Sequence, residues 1–283
     1  MTNYYQVEKV NQHVLAIKSL GGEFVYLILG KKRALLIDTC VGIGHLRQFV
    51  ESLTDLPITV ALSHGHVDHA MGAPEFEDVY LNPLDLPIYQ KMCGVETRLD
   101  YLNVTLPCTL EESMKETLLE AKPNYEFKPL EDGQVFDLGD LHVAAYAFPG
   151  HTPGMMAFLI AEEKILILGD ACNNSTFLFD EDACDVETYQ NALKSIKERL
   201  NGKFKRVFIS HHDMEVSVDI LDNMLGVCDD IMTEKSDDLP FHFMGIQAYI
   251  AKACDERFCR KDDKDGNLIY NKTKIYAKKE KIS

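Results

Sequence analysis

The chain is short of positive charge: 29 lysines and arginines stand against 45 aspartates and glutamates, for a net charge of −16. That balance repels polyanions and argues against nucleic acid as substrate or partner. The one basic cluster, Lys272, Lys274, Lys278, Lys279 and Lys281, crowds the C-terminal end, where it reads as a solvated tail. No apolar run approaches the roughly 20 residues of a membrane span. The opening residues 1–8 lack a basic segment followed by an apolar stretch, so no export signal is expected. Eight cysteines occur without a single CxxC pair, and without an export signal they read as reduced thiols rather than a disulfide framework. Low-complexity linkers and clear internal repeats are also missing. What remains is the expectation of a cytoplasmic protein with no nucleic-acid or membrane partner and with a homo-oligomer left open. Its 283 residues, 46% of them hydrophobic, are enough to bury a substantial core.

The densest chemistry lies in Ser63-His64-Gly65-His66-Val67-Asp68-His69, directly after the apolar run Ile58, Val60, Ala61, Leu62. A strand that opens into a glycine-containing turn can hold several imidazoles and a carboxylate at one point, as a zinc or iron site requires. Three imidazoles on so short a loop have no obvious packing role.

Three further candidate ligands each follow an apolar run of their own. His151 stands in the turn Pro149-Gly150-His151-Thr152-Pro153-Gly154, Asp170 ends Ile165-Leu166-Ile167-Leu168-Gly169, and His211 ends Val207-Phe208-Ile209-Ser210. Short apolar runs bounded by Gly and Pro mark buried strands, and reactive residues gather where strands open into loops. One sheet edge is therefore expected to collect all seven side chains.

Along the chain, alternation at 7–10, 14–18 and 24–29, followed by 34–37, predicts an opening meander of strands. A helix is expected near 44–53, a short strand at 79–81, a helical stretch at 84–92, and then a less regular insertion to about 129 where substrate specificity sits. Two glycine turns enclose a short strand in 130–139. Residues 185–200 carry an apolar stripe, Val186, Tyr189, Leu193, Ile196 and Leu200, that predicts an amphipathic helix with an acidic start. Beyond 211 the pattern predicts helices at 216–232 and 245–254, separated by a turn-rich stretch at 236–240. Phe241, Phe243, Met244, Ile246 and Ile250 then read as core at helical spacing, with the lining of an active-site mouth as the alternative, and 265–270 as a turn into a last strand.

In order, HxHxDH, PGHTPG, LGD and a final strand-borne histidine resemble the metallo-beta-lactamase superfamily over most of residues 8–212. Asp38, in Leu35-Leu36-Ile37-Asp38-Thr39, matches a structural aspartate of that family. The resemblance implies an α/β fold, a four-layer αββα sandwich of two mixed sheets flanked by helices. It also implies a single domain over 1–283, with 213–283 as a helical and strand extension. It implies that His64, His66 and His151 hold one metal, that Asp68, His69 and His211 hold a second, and that the Asp170 carboxylate bridges them. The cofactors would be two divalent ions, zinc first and iron or manganese as alternatives. Two divalent ions against two carboxylates leave a net positive centre, which lowers the pKa of a shared water toward neutrality. A metal-held hydroxide, oriented by Asp68, would then attack an ester, thioester or lactone.

Thioester or ester hydrolysis similar to that of hydroxyacylglutathione hydrolases leads, with lactone hydrolysis beside it. Small-molecule phosphodiester or beta-lactam cleavage ranks lower. The alternative of another reaction class is a mononuclear iron persulfide dioxygenase using His64, His66 or Asp68, His151 and Asp170. Adjacent residues on an extended segment point to opposite sides, and alignment with the family selects His211 over His212 as the ligand. Cys172 reads as a small core residue, and His13, His45, His142 and His242 as surface or satisfied core histidines.

Overall fold

The computed structural model describes residues 4–106 and 108–277. Residues 1–3 and the tail lysines Lys278, Lys279 and Lys281 lie outside the described residues. The chain forms two compact units, one of residues 1–147 with 158–162 and one of 148–157 with 163–283.

The first unit begins with the expected meander, β1 (Tyr5–Lys9), β2 (Val14–Ser19), β3 (Phe24–Leu29) and β4 (Ala34–Ile37), paired antiparallel in sequence order. α1 (Leu46–Glu51) leads to β5 (Ile58–Ala61), α2 (Val67–Ala70), β6 (Val79–Leu81), α3 (Leu86–Met92), α4 (Val95–Thr105), α5 (Glu112–Lys115) and β7 (Lys128–Pro129). β5, β6 and β7 extend the same sheet in parallel, and β8 (Val135–Asp137) pairs antiparallel with β9 (His142–Ala147). β4 is buried along its whole length, the pattern of a strand covered on both faces. Leu46 and Val50 of α1, Ala70 of α2, Tyr89 of α3 and Leu102 of α4 pack in one core with Leu27, Leu36 and Val60 of the sheet.

The stretch expected to be irregular after residue 92 contains α4. Its buried positions are Arg98 and Leu102, and a charged residue on the inner face breaks the apolar stripe that would have announced the helix. Arg98 donates to the carbonyls of Val41 and Leu119.

β10 (Met156–Ile160) falls at the boundary of the units. The second unit continues with β11 (Ile165–Gly169), β12 (Thr176–Leu178), α6 (Val186–Leu200), β13 (Arg206–Ile209), β14 (Glu215–Val216), α7 (Ile220–Met232), β15 (Leu239–Phe243), β16 (Ile246–Ile250) and β17 (Leu268–Tyr270). β13 pairs parallel with β11 and antiparallel with β14, while β12, β17, β16 and β15 form a separate four-stranded sheet in that order. α6 buries the expected stripe, and Asp185 caps it by accepting the Thr188 N–H at 2.8 Å. α7 starts later than expected because residues 215–216 are spent on β14.

The helix expected at 245–254 is instead one arm of a β-hairpin. Phe243 pairs with Ile246 across Met244 (φ 44°) and Gly245 (φ 85°), and two left-handed residues make the turn whose twist suits a two-residue hairpin. Pro240 sits on β15, an edge strand, where a missing N–H costs no ladder bond. One further expectation is corrected: β5 belongs to a different sheet from β11 and β13, so no single sheet edge carries all seven candidate ligands. The fold is mixed α/β, with several mixed sheets flanked by helices. Among the described residues no helix is long and apolar enough to cross a membrane.

Candidate metal centre

In the first unit the chain leaves β5, turns at Ser63 to Gly65 and enters α2 at His66, its N-cap. Asp68 and His69 thus fall in the first turn of α2, where a carboxylate is favoured by the helix dipole. His64, His66, Asp68 and His69 are all buried. The His64 ring lies 4.7 Å from that of His66 and 4.1 Å from that of His69, so three imidazoles share one small volume. Gly65 allows the turn: a Cβ there would stand 2.5 Å from the Asp85 carbonyl oxygen, and the Gly65 N–H donates to Asp85 Oδ2 at 2.9 Å.

Asp38, just past β4 and in the left-handed region at φ 68°, organises these imidazoles. Its Oδ1 accepts the Ser63 N–H at 2.6 Å. Its Oδ2 accepts the Ser63 hydroxyl at 2.7 Å and His69 Nδ1–H at 2.9 Å. Because Ser63 spends its proton on Asp38, its oxygen accepts from His64 Nδ1 at 2.9 Å. Both rings therefore carry their proton on Nδ1 and present Nε2 as the coordinating nitrogen. Asp68 Oδ2 lies 3.7 Å from His69 Nε2 and accepts the Tyr101 hydroxyl of α4 at 2.7 Å.

In the second unit His151 occupies the PGHTPG turn, with Nδ1 donating to the Phe177 carbonyl at 2.9 Å. Asp170 follows β11, and its Oδ2 stands 3.8 Å from His151 Nε2 and 3.1 Å from His211 Nε2. Its Oδ1 accepts from Asn173 Nδ2 at 3.2 Å. One carboxylate oxygen thus lies beside two imidazoles while the other is fixed by an amide. His212, at φ 64°, engages Ser175 Oγ through Nε2 at 2.9 Å and packs its ring 4.8 Å from that of Phe258. His211 and His212 therefore serve different neighbours.

Cys172 is buried, and burial pushes its thiol up to about 12, so it stays protonated and packs as a small apolar side chain. His142 pairs with Glu162 at 2.7 Å on the surface, while His45 and His242 are exposed and His13 is half-buried.

His64, His66, Asp68 and His69 of the first unit, and His151, Asp170 and His211 of the second, are donor types that suit zinc, iron or manganese. The chain has histidine and aspartate groups able to hold metal ions. The residues that hold these donors, Ser63, Tyr101, Asn173 and the Phe177 carbonyl, were not identified from the sequence. Ser63 opens the histidine motif without its bonding role being marked there, while Tyr101, Asn173 and Phe177 carry no motif and reach their partners through the fold.

Residues 19–211 match the family model of the metallo-beta-lactamase superfamily, and the chain belongs to that superfamily. It is similar to the acyl-coenzyme A thioesterase MBLAC2 of Gallus gallus, 24% identical over 202 residues that make up 67% of this chain and 72% of that protein. It is similar also to an atrochrysone carboxyl ACP thioesterase of Aspergillus chevalieri, 28% identical over 179 residues, 62% of this chain and 47% of that protein. The chain spans about half the length of the fungal relatives it matches. Among solved structures, a metallo-beta-lactamase from Pontibacter korlensis aligns with a TM-score of 0.56 at 17% identity, covering 78% of this chain and 97% of that one. That likeness shows the shared fold.

Proposed function

We propose that this protein is a dinuclear metal-dependent hydrolase that cleaves the thioester, or a related acyl ester, of a small molecule, with residues 1–283 as one catalytic domain. The observation that carries the reading is the complete donor set, in which three imidazoles have Nδ1 bound to a polar partner and Nε2 turned to coordination. In this reading His64, His66 and His151 hold one ion, Asp68, His69 and His211 hold the other, and Asp170 bridges. Support comes from the chain's histidine and aspartate groups able to hold metal ions. Held by these residues, two divalent ions, zinc first, would supply Lewis acidity toward an acyl carbonyl and would bring the pKa of a water toward neutrality.

The chain's own residues do the positioning. Asp38 and Ser63 fix the rings of His64 and His69, Phe177 fixes His151, and Asn173 fixes Asp170, as ligands of a reactive metal require. Tyr101 holds one oxygen of Asp68, which fixes the orientation of that carboxylate. The choice of thioester over lactone rests on relatives named as thioesterases. His211→Ala is expected to lower metal content and thioester turnover together, and His212→Ala to leave metal content intact. Metal loss in His212→Ala with full occupancy in His211→Ala would overturn the assignment.

A further inference from the structure

The β15–β16 hairpin presents an apolar face that the core does not finish covering. Cross-strand pairing sets Leu239 opposite Ile250, Phe241 opposite Ala248 and Phe243 opposite Ile246, and strand alternation puts these six side chains on one face. Phe177 of β12 joins this face, its ring 5.8 Å from that of Phe241 and 5.5 Å from that of Phe243, with Phe258 beyond, 6.2 Å from Phe241. All four rings are only partly buried, and Ile246 is 38% and Met244 51% exposed. An apolar sheet face left partly open, with Ile246 and Met244 exposed at its edge, is a candidate binding surface.

One hydrogen bond and one ring contact tie the cluster to histidines of the same unit. The Phe177 carbonyl accepts from His151, so the residue that fixes a candidate metal ligand also contributes a ring to the apolar face. Phe258 packs on His212, the neighbour of His211. At the open end of the hairpin the face runs into a wide, solvent-open cavity lined by Leu239, Pro240, Ile250, Cys254 and residues 255–257.

From this continuity we infer that the aromatic face of β12 and the β15–β16 hairpin is the acyl subsite of the hydrolase, taking an apolar acyl group with its carbonyl toward His151 and its far end toward the cavity. The inference rests on the proposed hydrolase reading and names its substrate class. The occupant lies along a face about 13 Å long, four residue steps of a strand, so the subsite favours an extended alkyl or aryl acyl group over acetyl.

The test compares kcat/KM of the metal-loaded protein for acetyl, octanoyl and benzoyl thioesters of N-acetylcysteamine. Wild type is expected to prefer octanoyl or benzoyl over acetyl, the two telling an alkyl from an aryl occupant. Phe243→Ala and Phe258→Leu are each expected to lower that preference about tenfold, in line with the discrimination an apolar pocket supplies. Val135→Ser, at a 54% exposed position of β8, is expected to keep the preference. An unchanged preference in both Phe variants would overturn the subsite. If wild type hydrolyses none of the thioesters, the hydrolase reading fails, and calorimetric titration with octanoate and benzoate decides the subsite alone. Binding weakened about tenfold in Phe243→Ala would support it, and no binding by wild type would overturn it. Association with neutral phosphatidylcholine vesicles that Phe243→Ala abolishes, with acyl preference unchanged, would assign the face to a lipid surface instead.

Discussion

Asp38 accepts the Nδ1–H of His69 at 2.9 Å while accepting both the backbone N–H and the hydroxyl of Ser63. One carboxylate therefore holds the histidine loop by three bonds, and through Ser63 it also orients His64. Asp38→Asn leaves the shape but replaces an acceptor oxygen with a donor, leaving a buried N–H unsatisfied at a cost of about 1–3 kcal/mol. Metal affinity is expected to fall about 10–100-fold, read by competition with a chromophoric chelator. Unchanged affinity would show that Asp38 serves the loop's folding alone.

Tyr101→Phe removes only the hydroxyl that binds Asp68. The expected loss of stability is about 1 kcal/mol, a small shift in a thermal melt. The visible spectrum of the cobalt-substituted protein is expected to change, because the carboxylate it restrains is a candidate ligand. A spectrum identical to wild type would remove Tyr101 from the metal environment.

Gly150 carries the turn that presents His151, and a Cβ there would stand 2.3 Å from Cδ2 of Tyr189. Tyr189 is fully buried and donates its hydroxyl to the Ala171 carbonyl at 2.6 Å, so it has little room to yield. Gly150→Ala is expected to destabilise by about 1–3 kcal/mol in urea denaturation. Gly226, inside α7, faces open space, with nothing within 4 Å of where a Cβ would stand, and Gly226→Ala is expected to stabilise by about 1 kcal/mol.

Burial separates the thiols by reactivity. Cys108 is exposed, whereas Cys40, Cys172 and Cys228 are buried, and burial raises the pKa of all three. Since the thiolate is the nucleophile, iodoacetamide at about pH 8, near the ordinary thiol pKa, is expected to modify Cys108 in the native protein and to spare those three. Mass spectrometry before and after unfolding reads the difference.

The four segments that end in ligands were legible because each is a short, continuous apolar run before a loop, and β2 to β6 and α6 followed from their periods. α4 was not legible, since Arg98 occupies its inner face and donates to carbonyls far along the chain. The hairpin was misread because Phe241, Phe243, Ile246 and Ile250 satisfy period two as well as helical spacing. The left-handed pair Met244 and Gly245 decides between them, and only the glycine signals that turn. His64 to His69 could be named as donors from spacing, and Asp38 was marked by the family resemblance, but the bonds it makes and the role of Tyr101 were not legible. Asp38 lies 25 residues from Ser63 and Tyr101 lies 33 from Asp68, distances that only the fold closes.

The central claim is tested most directly by elemental analysis of protein purified without added metal, with the same sample assayed for thioester hydrolysis. The account predicts about two zinc ions per chain and turnover that is lost on chelation and restored by zinc. One iron per chain, with oxygen consumed on a persulfide and no thioester cleaved, would contradict it.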